Sequence, residues 1–141
     1  MILLDTNILS ESMRSMPTAC VIRWLDAHPP KDLFICSVTK AEIELGIFLL
    51  PEGKRKNLLF SAAIEMFREF QGRCLPFDEV AATSYAKIVA RRIKIGRPIS
   101  VEDAQIAAVA LANRLILATR NTNDFDEIDD LKIINPWQSE I

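Results

Sequence analysis

Histidine, cysteine and glycine are all scarce here: one, three and four residues among 141. Cys20, Cys36 and Cys74 are odd in number and far apart, with no CxxC pair. That argues against a disulfide framework or a structural zinc site and for buried free thiols. His28 stands alone before Pro29-Pro30, so a His-rich metal centre or a Ser–His–Asp triad has almost nothing to build on. Long apolar runs are missing as well, none nearing the ~20 residues that a membrane-spanning helix needs. Met1 leads straight into Ile2-Leu3-Leu4 without a basic segment or a small-residue cleavage site. No signal peptide is expected, and the cytoplasm is the expected compartment. Nor is there an excess of one charge. Seventeen basic against nineteen acidic residues give a net charge of −2, so nucleic-acid binding would have to rest on a local patch.

What is present is core material: half the residues are hydrophobic. With no repeat, low-complexity tract or break in composition, the chain reads as a single domain over residues 1–141. Short apolar runs alternate with helical patterns. Ile2–Leu4, Leu33–Cys36 and Leu115–Ala118 read as buried strands, Lys132–Ile134 as a final strand, and Cys74–Phe77 as one pushed to an edge by Pro76. Helices are expected over Thr18–Ala27, Val38–Leu50, Glu52–Gln71, Glu79–Ile95 and Val101–Asn113. The alternation implies an α/β fold, a mainly parallel central sheet of four to five strands flanked by helices.

In such sheets ligands bind beyond the carboxyl ends of the strands. Asp5-Thr6-Asn7 follows the first strand, Glu42 comes one turn into the helix after the second, and Thr119 to Asp124 follows the fourth. Each acid has a plain structural reading beside the chemical one. Asp5 suits a helix N-cap, Asp103 a capping box with Ser100, and Asp124 a cap before Phe125. On a helical wheel Glu42 falls about 20–60° from Val38, Leu45 and Leu49, which places it at a buried stripe, whereas Glu44 turns toward the solvent side with Lys40. Gly46, one turn on, suggests that something approaches closely there. Asp103 opens a helix that is apolar nearly all round, Ile106 to Ala112, and so internal to the fold.

Capping does not predict that these acids should collect at one end of the sheet. Clustered carboxylates repel and resist ionisation unless a cation holds them. With oxygen donors and no usable His or Cys, Mg²⁺ or Mn²⁺ is the favoured ion, and metal-assisted phosphodiester cleavage the favoured chemistry. Thr6, Asn7, Thr119 and Asn121 are neutral hydrogen-bonding groups placed to orient carboxylates or a metal-bound water. One basic stretch, Lys87, Arg91, Arg92, Lys94 and Arg97 within KIVARRIKIGR, is either a solvated helix face or a track for a nucleic-acid backbone.

Five stretches, MILLDTN, SVTKAEIELG, GRPISVEDAQIAA, LATRNTNDF and IINPW, taken in order, resemble the PIN-domain family, and within it the VapC/FitB-type toxins of bacterial toxin–antitoxin pairs. The resemblance implies a Mg²⁺- or Mn²⁺-dependent endoribonuclease with Asp5 and Asp103 as principal metal ligands. Glu42 would bind a second ion or orient the nucleophilic water, and Thr119 would brace Asp5 or a metal-bound water. Asp124 would reach the metal through water, with Asn121 beside it as a supporting or substrate contact. It also implies an RNA substrate, a homodimer and a cognate antitoxin whose arginine could pair with the carboxylates. Arg91, Arg92, Lys94, Arg97 and Arg120 become candidate RNA contacts. A catalytically silent module of the same fold, holding RNA or a protein, is the rival reading. An aspartyl-phosphate enzyme using Asp5 would lack its second aspartate.

Overall fold

Ile2, Leu3 and Leu4 form β1, buried along its whole length at the centre of a parallel sheet. The computed structural model describes residues 1–138. β1 pairs on one side with β2 (Leu33–Cys36) and on the other with β4 (Ile116–Ala118). β3 (Cys74–Leu75) and β5 (Ile133–Ile134) close the two edges, giving the order β3-β2-β1-β4-β5. Every pairing is parallel, so β1, β2 and β4 end on the same side.

Alternation along β1 divides the core. Ile2 and Leu4 face one layer, containing α1 (Thr6–Ser12), α2 (Ala19–Asp26), α3 (Ser37–Phe48) and α4 (Lys54–Glu69). Leu3 faces the other, built from α5 (Glu79–Lys94) and α6 (Val101–Ala112). α6 buries Ala104 and every residue from Ile106 to Ala110, as its nearly uniform apolar sequence requires. Its small alanines let α5 lie close against it.

The expected strands and helices are all present, with ends shifted by at most two residues, and α1 is an addition. At seven residues α1 has too few turns to show a period, and its start is disguised by Asp5, Thr6 and Asn7, all turn-formers. The expected stripe on α3 is wrong. Thr39, Ile43 and Ile47 are its buried residues, while Leu45 and Leu49 stand 58% and 76% exposed. The branched isoleucines at i and i+4 take the contact, which no count of apolar positions could decide. Glu42 is consequently half-buried beside the stripe, and Glu44 is half-buried too, paired with Lys40 at 2.5 Å. Gly46 is open, since a Cβ there would meet no atom within 4 Å. Among the cysteines only Cys36 is buried; Cys20 is half-buried and Cys74 exposed. Leu59 and Phe67 of α4 pack against the core, and Leu58 and Ile64 are exposed. Among the described residues no helix is long and apolar enough to cross a membrane.

Candidate active site

Because β1, β2 and β4 run parallel, the residues just beyond them share one rim of the sheet. There a cleft of about 480 Å³, within the usual range for ligand sites, is lined by Asp5, Thr6, Asn7, Glu42, Asp103 and Asn121. The chain thus gathers three carboxylates from β1's end, from α3 and from the first turn of α6.

Asp5 is both a cap and a cleft residue. Its backbone N–H donates to the Ala118 carbonyl at 2.9 Å, extending the β1–β4 ladder to the last residue before the helix. Oδ1 accepts from the Thr6 N–H at 2.8 Å, capping α1. Oδ2 accepts from the Thr119 hydroxyl at 2.7 Å and from Asn7 Nδ2 at 3.3 Å. Thr119, buried at the end of β4, also accepts from the Asn121 N–H at 3.1 Å. Thr6 reaches the other way, its hydroxyl donating to Glu42 Oε1 at 2.8 Å. The Asp5-Thr6-Asn7 turn therefore orients two carboxylates, Asp5 through Asn7 and Glu42 through Thr6.

Burial is what chiefly disturbs these acids. It pushes the Asp5 carboxyl from 3.8 up to about 6 against its hydrogen bonds from Thr119 and Thr6, and the charges of Asp103 and Glu42 add to the rise. Glu42 is raised by burial first, opposed by the Thr6 hydroxyl and reinforced by Asp103 and Glu102. Asp103 is raised by burial, opposed by Ser100, and reinforced by Asp124 and Glu102, with Arg92 pulling slightly the other way. Ser100 Oγ accepts from the Asp103 N–H at 3.2 Å, so Ser100 caps α6 and Asp103, in the first turn of that helix, lines the cleft. For Asp5 the capping and chemical readings are compatible; of the capping box at Asp103 only the Ser100 half is formed.

The remaining candidates divide. Asn121 lines the cleft. Asp124 does not; it is exposed on a 3-10 turn (Thr122–Phe125), and its charge adds to the rise of Asp103. Arg120 lines the cleft with its guanidinium 5.0 Å from the centre of the Trp137 ring. The basic stretch stands apart. Arg92 is only 4% exposed, donating from Nε to the Arg97 carbonyl at 2.7 Å and from Nη1 to the carbonyls of Asp124 and Asp126 at 3.0 and 2.9 Å. Its guanidinium ties the loop after β4 to α5 and offers nothing to an RNA, which corrects the expectation for that residue. Arg91 lies 3.6 Å from Glu127 and 3.8 Å from Asp129, and Arg97 lies 3.6 Å from Asp126. Lys94 is exposed.

Sequence reasoning missed Ser10, Glu11, Arg14 and Trp137, which complete the cleft. A signal was available: Asn7, Ser10, Glu11 and Arg14 follow the i, i+3, i+4, i+7 spacing of one helical face. His28 lies elsewhere, its Nδ1 2.7 Å from the Trp24 carbonyl at the end of α2.

Comparison with known proteins agrees with this geometry. The PIN domain family model matches residues 2–131. The chain is similar to the toxin FitB of Neisseria gonorrhoeae, 41% identical over 138 residues, covering 97% of this chain and 99% of that one. It is similar to the VapC ribonuclease Y4jK of Sinorhizobium fredii, 39% identical over 139 residues, covering 98% of this chain and 99% of that one. Among solved structures it matches FitAB bound to the IR36 DNA fragment, with a TM-score of 0.91, 40% identity and coverage of 100% of this chain and 99% of that one.

Proposed function

From the premise that this chain belongs to the PIN-domain family, we propose that it is a metal-dependent endoribonuclease, the toxin of a type II toxin–antitoxin pair. One observation carries the reading: Asp5, Glu42 and Asp103 come from three separate elements to one cleft, and burial, reinforced by neighbouring negative charges, raises all three. A fold gains nothing from such repulsion unless a cation relieves it.

The donor set fits Mg²⁺ or Mn²⁺. It is all oxygen, and the cleft is lined by no His or Cys. Among the described residues no three such side chains stand close enough to ligate one ion directly. Mg²⁺ keeps several waters and takes one or two carboxylates, so it needs no three direct protein ligands. Asp5 and Asp103 would hold the ion, which when bound supplies Lewis-acid stabilisation of the phosphodiester's charge and an acidified water. Thr119 and Asn7 keep Asp5 aimed into the cleft. Thr6 keeps Glu42 oriented to receive a proton from the attacking water, and the half-buried setting of Glu42 favours that receipt. Asn121 contributes a neutral amide for a water or a sugar hydroxyl.

The cognate antitoxin would close the cleft, and an arginine from it would satisfy the same carboxylates. A homodimer and a cytoplasmic location belong to the same proposal. The test is incubation of the purified protein with structured RNAs and Mg²⁺ or Mn²⁺, with EDTA and Asp103→Asn as controls. Cleavage that stops in both controls supports the proposal, and loss of at least ~100-fold is expected for Asp103→Asn. Cleavage that survives both comes from a contaminant. Tight metal-independent RNA binding without cleavage would favour a silent module.

A further inference from the structure

Besides its carboxylates the cleft has a cationic wall, Arg14 and Arg120, whose two guanidiniums are each fixed by a packed partner. Glu11 is only 4% exposed. It accepts from the Thr18 hydroxyl at 2.7 Å and from Arg14 Nη1 at 3.0 and 3.2 Å. The Thr18 hydroxyl, and after it Arg14, hold the Glu11 carboxyl below the usual glutamate range. Glu11 is therefore an anionic anchor for one edge of Arg14, whose side chain is otherwise 63% exposed. Arg120 is fixed differently. Its guanidinium lies over Trp137, its backbone N–H donates to Asn7 Oδ1 at 3.4 Å, and Trp137 itself packs against the core.

Charge shows what this wall is for. Three carboxylates with one divalent ion leave the metal end negative by one charge, a poor host for a polyanion. Arg14 and Arg120, less Glu11, supply one positive charge in the same cleft. Both are arginines, whose planar donor forks match phosphate oxygens better than an ammonium does.

We propose that Arg14 and Arg120 form a second RNA subsite, gripping the phosphate next to the scissile one, with Glu11 and Trp137 as positioning residues that fix the two guanidiniums. The proposal rests on the ribonuclease reading above and adds where the strand lies: from the carboxylates across Asn7 to the end of α1.

Two readouts test it on the full chain. The first is KM and kcat for cleavage with Mn²⁺; the second is fluorescence anisotropy of a labelled single-stranded oligoribonucleotide in EDTA. Arg14→Ala and Arg120→Ala should each raise KM and weaken binding roughly tenfold, with kcat little changed. Each should also flatten the dependence of log K on log salt by about 0.7. Arg14→Lys should restore part of the binding. Arg23→Ala, an exposed cation on α2 outside the cleft, should change neither readout. Cleavage with unchanged KM and anisotropy in Arg14→Ala and Arg120→Ala would overturn the subsite, as would an equal loss in Arg23→Ala. If no RNA is cut but binding still depends on Arg14 and Arg120, the subsite stands and the nuclease reading fails.

Discussion

The five cations of Lys87–Arg97 and the two guanidiniums of the cleft differ less in charge than in what each already touches. On α5, Arg91 faces Glu127 and Asp129 and Arg92 is buried among carbonyls of the same loop, while Arg97, just past the helix, faces Asp126. An acidic segment some thirty residues away in sequence has folded back onto the basic one. Arg14 and Arg120 are far apart in sequence and form no run, yet they share a cleft. A cationic run read along the chain is thus a poor guide to the charge that a ligand meets. Arg91, Arg92 and Arg97 hold the loop that follows β4; Arg14 and Arg120, though anchored by Glu11 and Trp137, stay exposed in the cleft.

Substitutions that exchange stability for chemistry test this division. Arg92→Met should have the largest effect on folding. It leaves three carbonyls without their guanidinium donor and should cost about 3 kcal/mol in urea unfolding. Were it instead neutral for stability while weakening RNA binding, the two regions would have to change places. On the cleft side, Thr119→Val removes the hydroxyl that holds Asp5 and the acceptor for the Asn121 N–H. Mn²⁺ affinity, read by titration calorimetry, should fall by about tenfold, the usual range for a group that orients a ligand. An unchanged affinity would mean that the Thr119 contact serves only the sheet. Arg91→Ala should matter least. Its ion pairs are long and about half exposed, so less than ~1 kcal/mol of stability is at stake. A larger loss, or a raised KM, would show that α5 does meet the substrate.

The same contrast explains what could be read before the structure. Strand runs are local patterns, and the parallel-sheet rule then sends Asp5 and Glu42 to one rim, where they lie with Asp103, the acid that opens the internal helix α6. What failed needed knowledge of neighbours. Leu45 and Leu49 looked like core but find no partner layer, while Thr39 lies buried between the helix and the sheet. Arg92 looked like surface because arginine usually is, and only the fold brings carbonyls to it. Glu11 lies near the end of a seven-residue helix and Arg14 just past it, so only the spacing of Asn7, Ser10, Glu11 and Arg14 hinted at their shared face. The stretch from Thr119 to Asp124 was placed correctly as a strand-end loop, but its direction was not legible, and Asn121 rather than Asp124 lines the cleft.

Asp5 is where stability and chemistry meet in one residue. Its carboxyl is raised from 3.8 to about 6, so the folded chain holds that proton more tightly than the unfolded chain does. Folding therefore loses stability as pH rises through that window, by about 3 kcal/mol at most, and carries the full penalty above it. Below the unfolded value both states are protonated and the penalty vanishes. Asn keeps the cap without the charge, and a bound cation would remove the penalty from Asp5 itself. Melting of the wild type and Asp5→Asn, with EDTA or Mn²⁺, tests this directly. At pH 8 in EDTA Asp5→Asn should melt higher than the wild type, with the gap closing toward pH 4, and Mn²⁺ should raise the wild type alone. If Asp5→Asn melts lower in EDTA and Mn²⁺ leaves the wild type unmoved, Asp5 is a structural cap and the carboxylate cleft is not a metal site.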